Sequence, residues 1–126
     1  MELVLLTKGL PETEPKIRVY DQYVVFNAAA VELLGLKDGD YVQFAHPAYG
    51  FKKETYVRRT GKTVGSYVAR KRTCTMRVSS RKLASLLAER LNGQGCYRVC
   101  PEDTVPDDDG MWYSIFFVNY DKKDSD

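Results

Sequence analysis

Between Lys52 and Lys82 the chain carries eleven basic residues against one acid, Glu54, a net of +10, while residues 101–126 carry eight acids against two lysines, a net of −6. The formal total of +2 therefore hides a strongly dipolar chain. Clustered lysine and arginine can neutralise phosphates and release counterions, the main sequence-independent source of nucleic-acid affinity. The candidate contacts are Lys52, Lys53, Arg58, Arg59, Lys62, Arg70, Lys71 and Arg72. Tyr56 and Tyr67, interleaved with them alongside Tyr49 and Phe51, are the candidates for stacking on bases. The same charges equally suit a solvated strand edge, an acidic protein surface, or the Asp107-Asp108-Asp109 loop of this chain or a neighbouring one.

The other reactive residue types do not assemble into a site. Thr60-Gly61-Lys62-Thr63 has the ending of a phosphate loop, but Tyr56 stands where its first glycine belongs and strand-like residues follow instead of a helix. Asp107-Asp108-Asp109-Gly110 lacks the alternating oxygen ligands and distant glutamate of an EF-hand. His46, the sole histidine, precedes Pro47 with no carboxylate or cysteine at ligand spacing, and Cys74, Cys96 and Cys100 form neither paired CxxC clamps nor an even set. A nucleophilic cysteine needs an adjacent base, and none stands near. No catalytic residue, metal site or cofactor is expected.

The elements that must position the basic residues follow from hydrophobic periodicity. An apolar content of 44% in 126 residues is enough for one folded domain, taken as 1–120, with a charged, frayed tail at 121–126. Leu3-Val4-Leu5-Leu6 is too short for a signal-peptide core or a membrane span, so a soluble cytoplasmic protein is expected, with no membrane partner. Gly9 to Pro15 reads as a linker or surface arm. Lys16-Ile17-Arg18-Val19-Tyr20 alternates with period two and pairs with Tyr23 to Phe26 as a hairpin. Asn27 caps a short helix from Ala28, Gly35 ends it, and Lys37-Asp38-Gly39-Asp40 turns the chain into a strand from Tyr41 that Pro47 stops.

A looser copy of this strand–helix–strand unit returns at 75–100, compared with 23–44 for the first. Phe26-Asn27 aligns with Val78-Ser79, and Leu83, Leu86, Leu87 and Leu91 supply the helical stripe. The second unit is longer by about one helical turn. An internal repeat and a chance recurrence are both open. Between the units, Glu54 to Arg59 and Val64 to Arg70 read as a second hairpin around Thr60-Gly61-Lys62-Thr63. Pro101 to Gly110 reads as an acidic loop, and Met111 to Tyr120 as a central strand.

Leu33-Leu34-Gly35-Leu36-Lys37-Asp38-Gly39-Asp40-Tyr41-Val42-Gln43-Phe44 resembles the helix–turn–strand part of the AbrB/MazE-type swapped-hairpin DNA-binding family. The resemblance spans about twenty residues and implies an intertwined homodimer that binds DNA in transcription regulation. It departs at Asn27, where the family usually has proline, and at Ala28, Ala29 and Ala30, where it places a basic residue early in the helix. The expected fold class is α+β, a mostly antiparallel sheet or small partly open barrel with two short helices. The expected function is a DNA-binding regulatory or accessory protein acting through a basic central hairpin. A non-catalytic interaction module that meets an acidic protein is the alternative.

Overall fold

The computed structural model describes residues 14–49, 53–107 and 110–120. Lys52, the apolar run Leu3 to Leu6 and the tail 121–126 lie outside the described residues. Two helices and nine strands follow in the order β1 (Lys16–Val19), β2 (Val24–Phe26), α1 (Ala28–Leu34), β3 (Tyr41–Ala45), β4 (Thr55–Thr60), β5 (Ser66–Val68), β6 (Arg70–Arg72), β7 (Thr75–Val78), α2 (Arg81–Arg90), β8 (Gly95–Asp107) and β9 (Gly110–Ile115). The fold is α+β and strand-dominated, as the periodicity predicts.

The strands form one antiparallel sheet in the order β5-β3-β4-β9-β8-β1-β2-β7-β6. Its two ends, β5 and β6, are consecutive in sequence and separated only by Ala69. Ala69 donates its N–H to Asp40 O at 2.7 Å and accepts from Gly39 N at 2.9 Å, just before β3 begins. One run of chain thus lies along β3 with its first half and along β7 with its second, bending a flat sheet into a nearly closed barrel. Alternation then sends every second residue inward. Ile17, Val19, Val24, Phe26, Val57, Met76, Val78, Tyr97, Val99 and Ile115 fill the interior and are almost wholly buried.

The helices pack on this barrel by the local rules read in the sequence. Asn27 Oδ1 accepts from Ala30 N at 2.9 Å and also from Lys16 N at 3.0 Å, so the cap ties α1 to β1 as well as starting it. Gly35, at φ 66°, takes the left-handed conformation, and Leu36 N reaches back to Val31 O at 3.0 Å. In the second unit the cap is Ser80, which accepts from Leu83 N at 3.1 Å, so the unit gains a residue between strand and helix and Ser79 is not the counterpart of Asn27. The helices hold 7 and 10 residues, the extra turn the spacing predicts. Leu83, Ala84, Leu87 and Leu91 are buried, whereas Leu86 is 45% exposed and stands off the stripe assigned to it.

Two expected elements are corrected. Residues 54–59 and 64–70 do not form a hairpin, because β3 lies between β4 and β5 and pairs with both. An antiparallel strand has two hydrogen-bonding edges, and β3 satisfies its own by taking one neighbour on each side. The stretch from Pro101 is also no loop: β8 runs on to Asp107 and pairs with β9 across an irregularity between Cys100 and Thr104. β9 lies between β4 and β8 as a central strand, but ends at Ile115 instead of reaching Tyr120.

Candidate nucleic-acid interface

The proposed basic residues divide between the two halves of the barrel. On the half built around β3, β4 and β9, most of them are held by this chain's own groups. Arg58 is buried: its Nε and Nη2 donate to Gln43 Oε1 at 3.0 and 2.8 Å, its Nη1 meets Asp107 Oδ2 at 3.1 Å, and its guanidinium lies 4.3 Å from the Trp112 ring centroid. Arg59 is 3.7 Å from Asp40 Oδ2. Lys53 Nζ donates to Leu91 O at 3.0 Å, fastening the chain before β4 to the end of α2. Lys62 is exposed in the β4–β5 connection. Tyr56 is half-buried with its hydroxyl donating to Glu54 Oε2 at 3.3 Å, and Tyr67 packs against the core.

Arg70, Lys71 and Arg72 form β6, an edge strand in which all three are exposed. Here strand order brings together residues far apart in sequence. Arg70 is the direct partner of Arg77 on β7, Arg77 of Val25 on β2, Val25 of Arg18 on β1, and Arg18 of Cys96 on β8. Opposed residues of an antiparallel ladder point to the same side of the sheet. Since Val24, Phe26, Met76, Val78, Ile17 and Val19 face the core, this row faces outward. Strands lie about 4.8 Å apart, so Arg70, Arg77 and Arg18 span about 14 Å across four strands.

A second outward row lies two residues along the ladder, where Arg72 opposes Thr75 and Lys16 opposes Arg98. Between the rows runs a shallow cleft of about 230 Å³ lined by Lys16, Arg18, Tyr20, Val25, Thr75 and Cys96. Carboxylates offset one end of the face: Glu14 lies 2.6 Å from Arg98 Nε and 3.8 Å from Lys16 Nζ, and Glu102 lies 2.7 Å from Arg98 Nη1. The Glu102 carboxyl is held below its ordinary range by its own backbone N–H and then by Arg98, which Glu102 in turn keeps more firmly protonated. The Arg77 guanidinium sits 4.0 Å above the Tyr23 ring, and Tyr23 lies 4.6 Å from Tyr20, centroid to centroid.

Lys16, Arg18, Arg77 and Arg98 were not among the sequence-assigned contacts. Their signal was present in the recurrent pattern Arg18-Val19, Arg77-Val78 and Arg98-Val99, in which a basic residue precedes a β-branched residue on three different strands. Only strand order reveals that the three basic side chains share a face. Among the described residues, no three His, Cys, Asp or Glu side chains are placed to hold a metal ion, and no helix is long and apolar enough to cross a membrane.

Fold and surface together define an α+β, nearly closed antiparallel barrel with one basic outer face. Compared with known proteins, the chain matches no protein-family model, no curated protein and no solved structure.

Proposed function

We propose that the protein binds DNA, as a regulatory or accessory protein, through the outer face of β6, β7, β2 and β1. The observation that carries this reading is the row Arg70, Arg77, Arg18 on one side of four adjacent strands. Arg70 and Arg77 are opposed across the ladder, an arrangement of like charges that an anion over the pair would relieve, with Arg77 also resting on the Tyr23 ring. A phosphate backbone crossing the face would meet Arg70, Arg77 and Arg18 in turn, with Arg72 and Lys16 flanking the cleft. The short Tyr20 and Tyr23 connection gives a base a ring at the cleft's edge. Arg58 and Lys53 fall out of the contact set in this proposal because they hold the barrel together.

The resemblance to swapped-hairpin regulators enters the proposal at the level of task. A homodimer in this chain would form by surface contact, since one chain supplies all nine strands of the described sheet. The matching order of strand, capped helix and strand in β2–α1–β3 and β7–α2–β8 supports an internal repeat.

The test is fluorescence anisotropy of labelled mixed-sequence DNA across a salt series. Five phosphate contacts would give a log–log salt slope of about −4 to −5 on duplex DNA. The double substitution Arg70→Glu, Arg72→Glu should abolish binding while leaving the circular dichroism spectrum unchanged. Binding that ignores salt, or survives the double substitution, would refute the proposal. The Arg98–Glu14 and Arg98–Glu102 contacts, in which this face already meets carboxylates, favour a second reading, in which the basic face meets an acidic protein surface, a second copy included. Salt-sensitive self-association seen by light scattering, without DNA binding, would select it.

A further inference from the structure

Helix α2 covers the barrel with one side and leaves the other bare. Leu83, Ala84 and Leu87 are buried, while Lys82, Ser85, Leu86 and Glu89 are all exposed. At 3.6 residues per turn these four share one stripe, with Leu86 in its middle and Lys82 and Glu89 at its ends, about 10 Å apart. Leu86 is also one wall of a cleft of about 420 Å³ whose other walls include Phe44, Ala45, Tyr67 and Leu87. The charges at the ends of the stripe are set against the helix that carries them. A helix favours anions at its N-terminus and cations at its C-terminus. The first turn of α2 has no acid and holds Arg81 and Lys82, whereas Glu89 stands in the last turn beside Arg90. Neither Lys82 nor Glu89 meets an opposite charge among the described residues.

We infer that the outer stripe of α2 is the contact surface for a second copy of this chain, with the two α2 helices antiparallel about a two-fold axis. An isologous contact needs a patch that is complementary to itself. An axis passing between Ser85 and Leu86 lays Lys82 of each copy against the partner's Glu89, so the pair is made twice, and brings the two Leu86 side chains together at the centre beside their clefts. The antiparallel arrangement also carries each Lys82 to the negative end of the partner helix and each Glu89 to its positive end, which relieves the conflict each has with its own helix. A parallel pair would oppose Lys82 to Lys82 and Glu89 to Glu89, and a nucleic acid drawn to Lys82 would be repelled by Glu89. With ten residues α2 is about 15 Å long, so the contact is small and the dimer exchanges with monomer. The inference rests on the surface-contact homodimer and not on DNA binding.

The test is sedimentation equilibrium of the full chain without DNA, from about 10 μM to about 1 mM, a range suited to a small interface. The parent should dimerise. Lys82→Glu and Glu89→Lys should each weaken the dimer at least about tenfold, because each reversal turns both symmetry-related attractions into repulsions. The double substitution Lys82→Glu, Glu89→Lys should return it to within about threefold of the parent, the coupling that marks a direct pair. Residues seven apart do not pair on their own helix, so this rescue must come from the partner. Each reversal agrees with the helix dipole, so the circular dichroism spectrum should be retained. Leu86→Gln should weaken the dimer, and Arg70→Glu with Arg72→Glu should leave it unchanged. A parent that stays monomeric, a double substitution no better than the single ones, or a dimer lost with Arg70 and Arg72 but kept in Lys82→Glu would overturn the assignment. Each of those results leaves the DNA reading to its own salt series.

Discussion

Arg70 and Arg77 stand directly opposite each other on β6 and β7, two guanidinium side chains on the outer side of one ladder. A like-charge pair in that position works against the sheet by about 0.2–1 kcal/mol. Replacing Arg70 with Glu turns repulsion into attraction. Urea denaturation of R70E without DNA should show a midpoint at or slightly above that of the parent, while its affinity for DNA falls at least tenfold. A lower midpoint accompanied by unchanged affinity would mean that Arg70 serves the fold and not a ligand.

Arg58 should behave in the opposite way, although it belongs to the same basic stretch of sequence. Its guanidinium is buried between Gln43, Asp107 and the Trp112 ring, so truncation removes its bonds to Gln43 Oε1 and Asp107 Oδ2 and its packing on the ring. Arg58→Ala should lower stability by about 1–3 kcal/mol in a denaturant melt and change the emission of Trp112. DNA affinity per folded molecule should stay within twofold. Loss of affinity without loss of stability would return Arg58 to the contact surface.

This divergence shows what a linear reading captures and what it misses. Local rules were legible: Asn27 and Gly35 bound α1 because capping and left-handed φ are decided within a few residues. Pairing was not. The Thr60 to Thr63 turn chemistry favours a hairpin, yet β3 has two free edges and inserts between β4 and β5, a choice set by contacts distant in sequence. Pro101 and Pro106 argue for a loop, but β8 beyond Cys100 pairs only with β9, and a strand with one open edge tolerates residues that lack an N–H. The basic face was hidden for the same reason as the hairpin. Arg18 and Arg77 each look like an ordinary solvated position until β1, β2 and β7 are known to be neighbours.

Gly95 marks the most exacting backbone position in the second unit. It opens β8 at φ 144°, and an added Cβ would overlap the Asn119 side-chain amide. That amide is buried and fully used: Oδ1 accepts from Cys96 N at 3.2 Å, while Nδ2 donates to Gln94 O at 2.6 Å and Asn92 O at 3.2 Å. Neither group can yield without breaking these bonds. Gly95→Ala should therefore cost about 2–3 kcal/mol, read as an earlier urea midpoint. A substitution within about 0.5 kcal/mol of neutral would show that the β8 entry adapts.

The three cysteines should separate by reactivity with a thiol reagent. Cys74 lies exposed between β6 and β7, Cys96 is half-buried on the outer face, and Cys100 is buried. Burial raises the Cys100 thiol above its ordinary pKa; Glu102 and Asp103 add to the effect, and Arg98 opposes it. Only the thiolate attacks, and reagent must reach it, so in the native state exposed Cys74 should label first and buried Cys100 last, with the Cys100 rate rising only at a pH above the ordinary thiol range. The same shift has a consequence for stability. The unfolded chain releases the Cys100 proton at lower pH than the folded one, so stability is intact below the unfolded thiol's pKa and declines as pH rises above it. Cys100→Ala should remove that alkaline component of a pH series of melts, whatever it does to stability at neutral pH. Labelling of all three thiols at one rate in the folded protein, or an alkaline decline that persists in C100A, would contradict this burial.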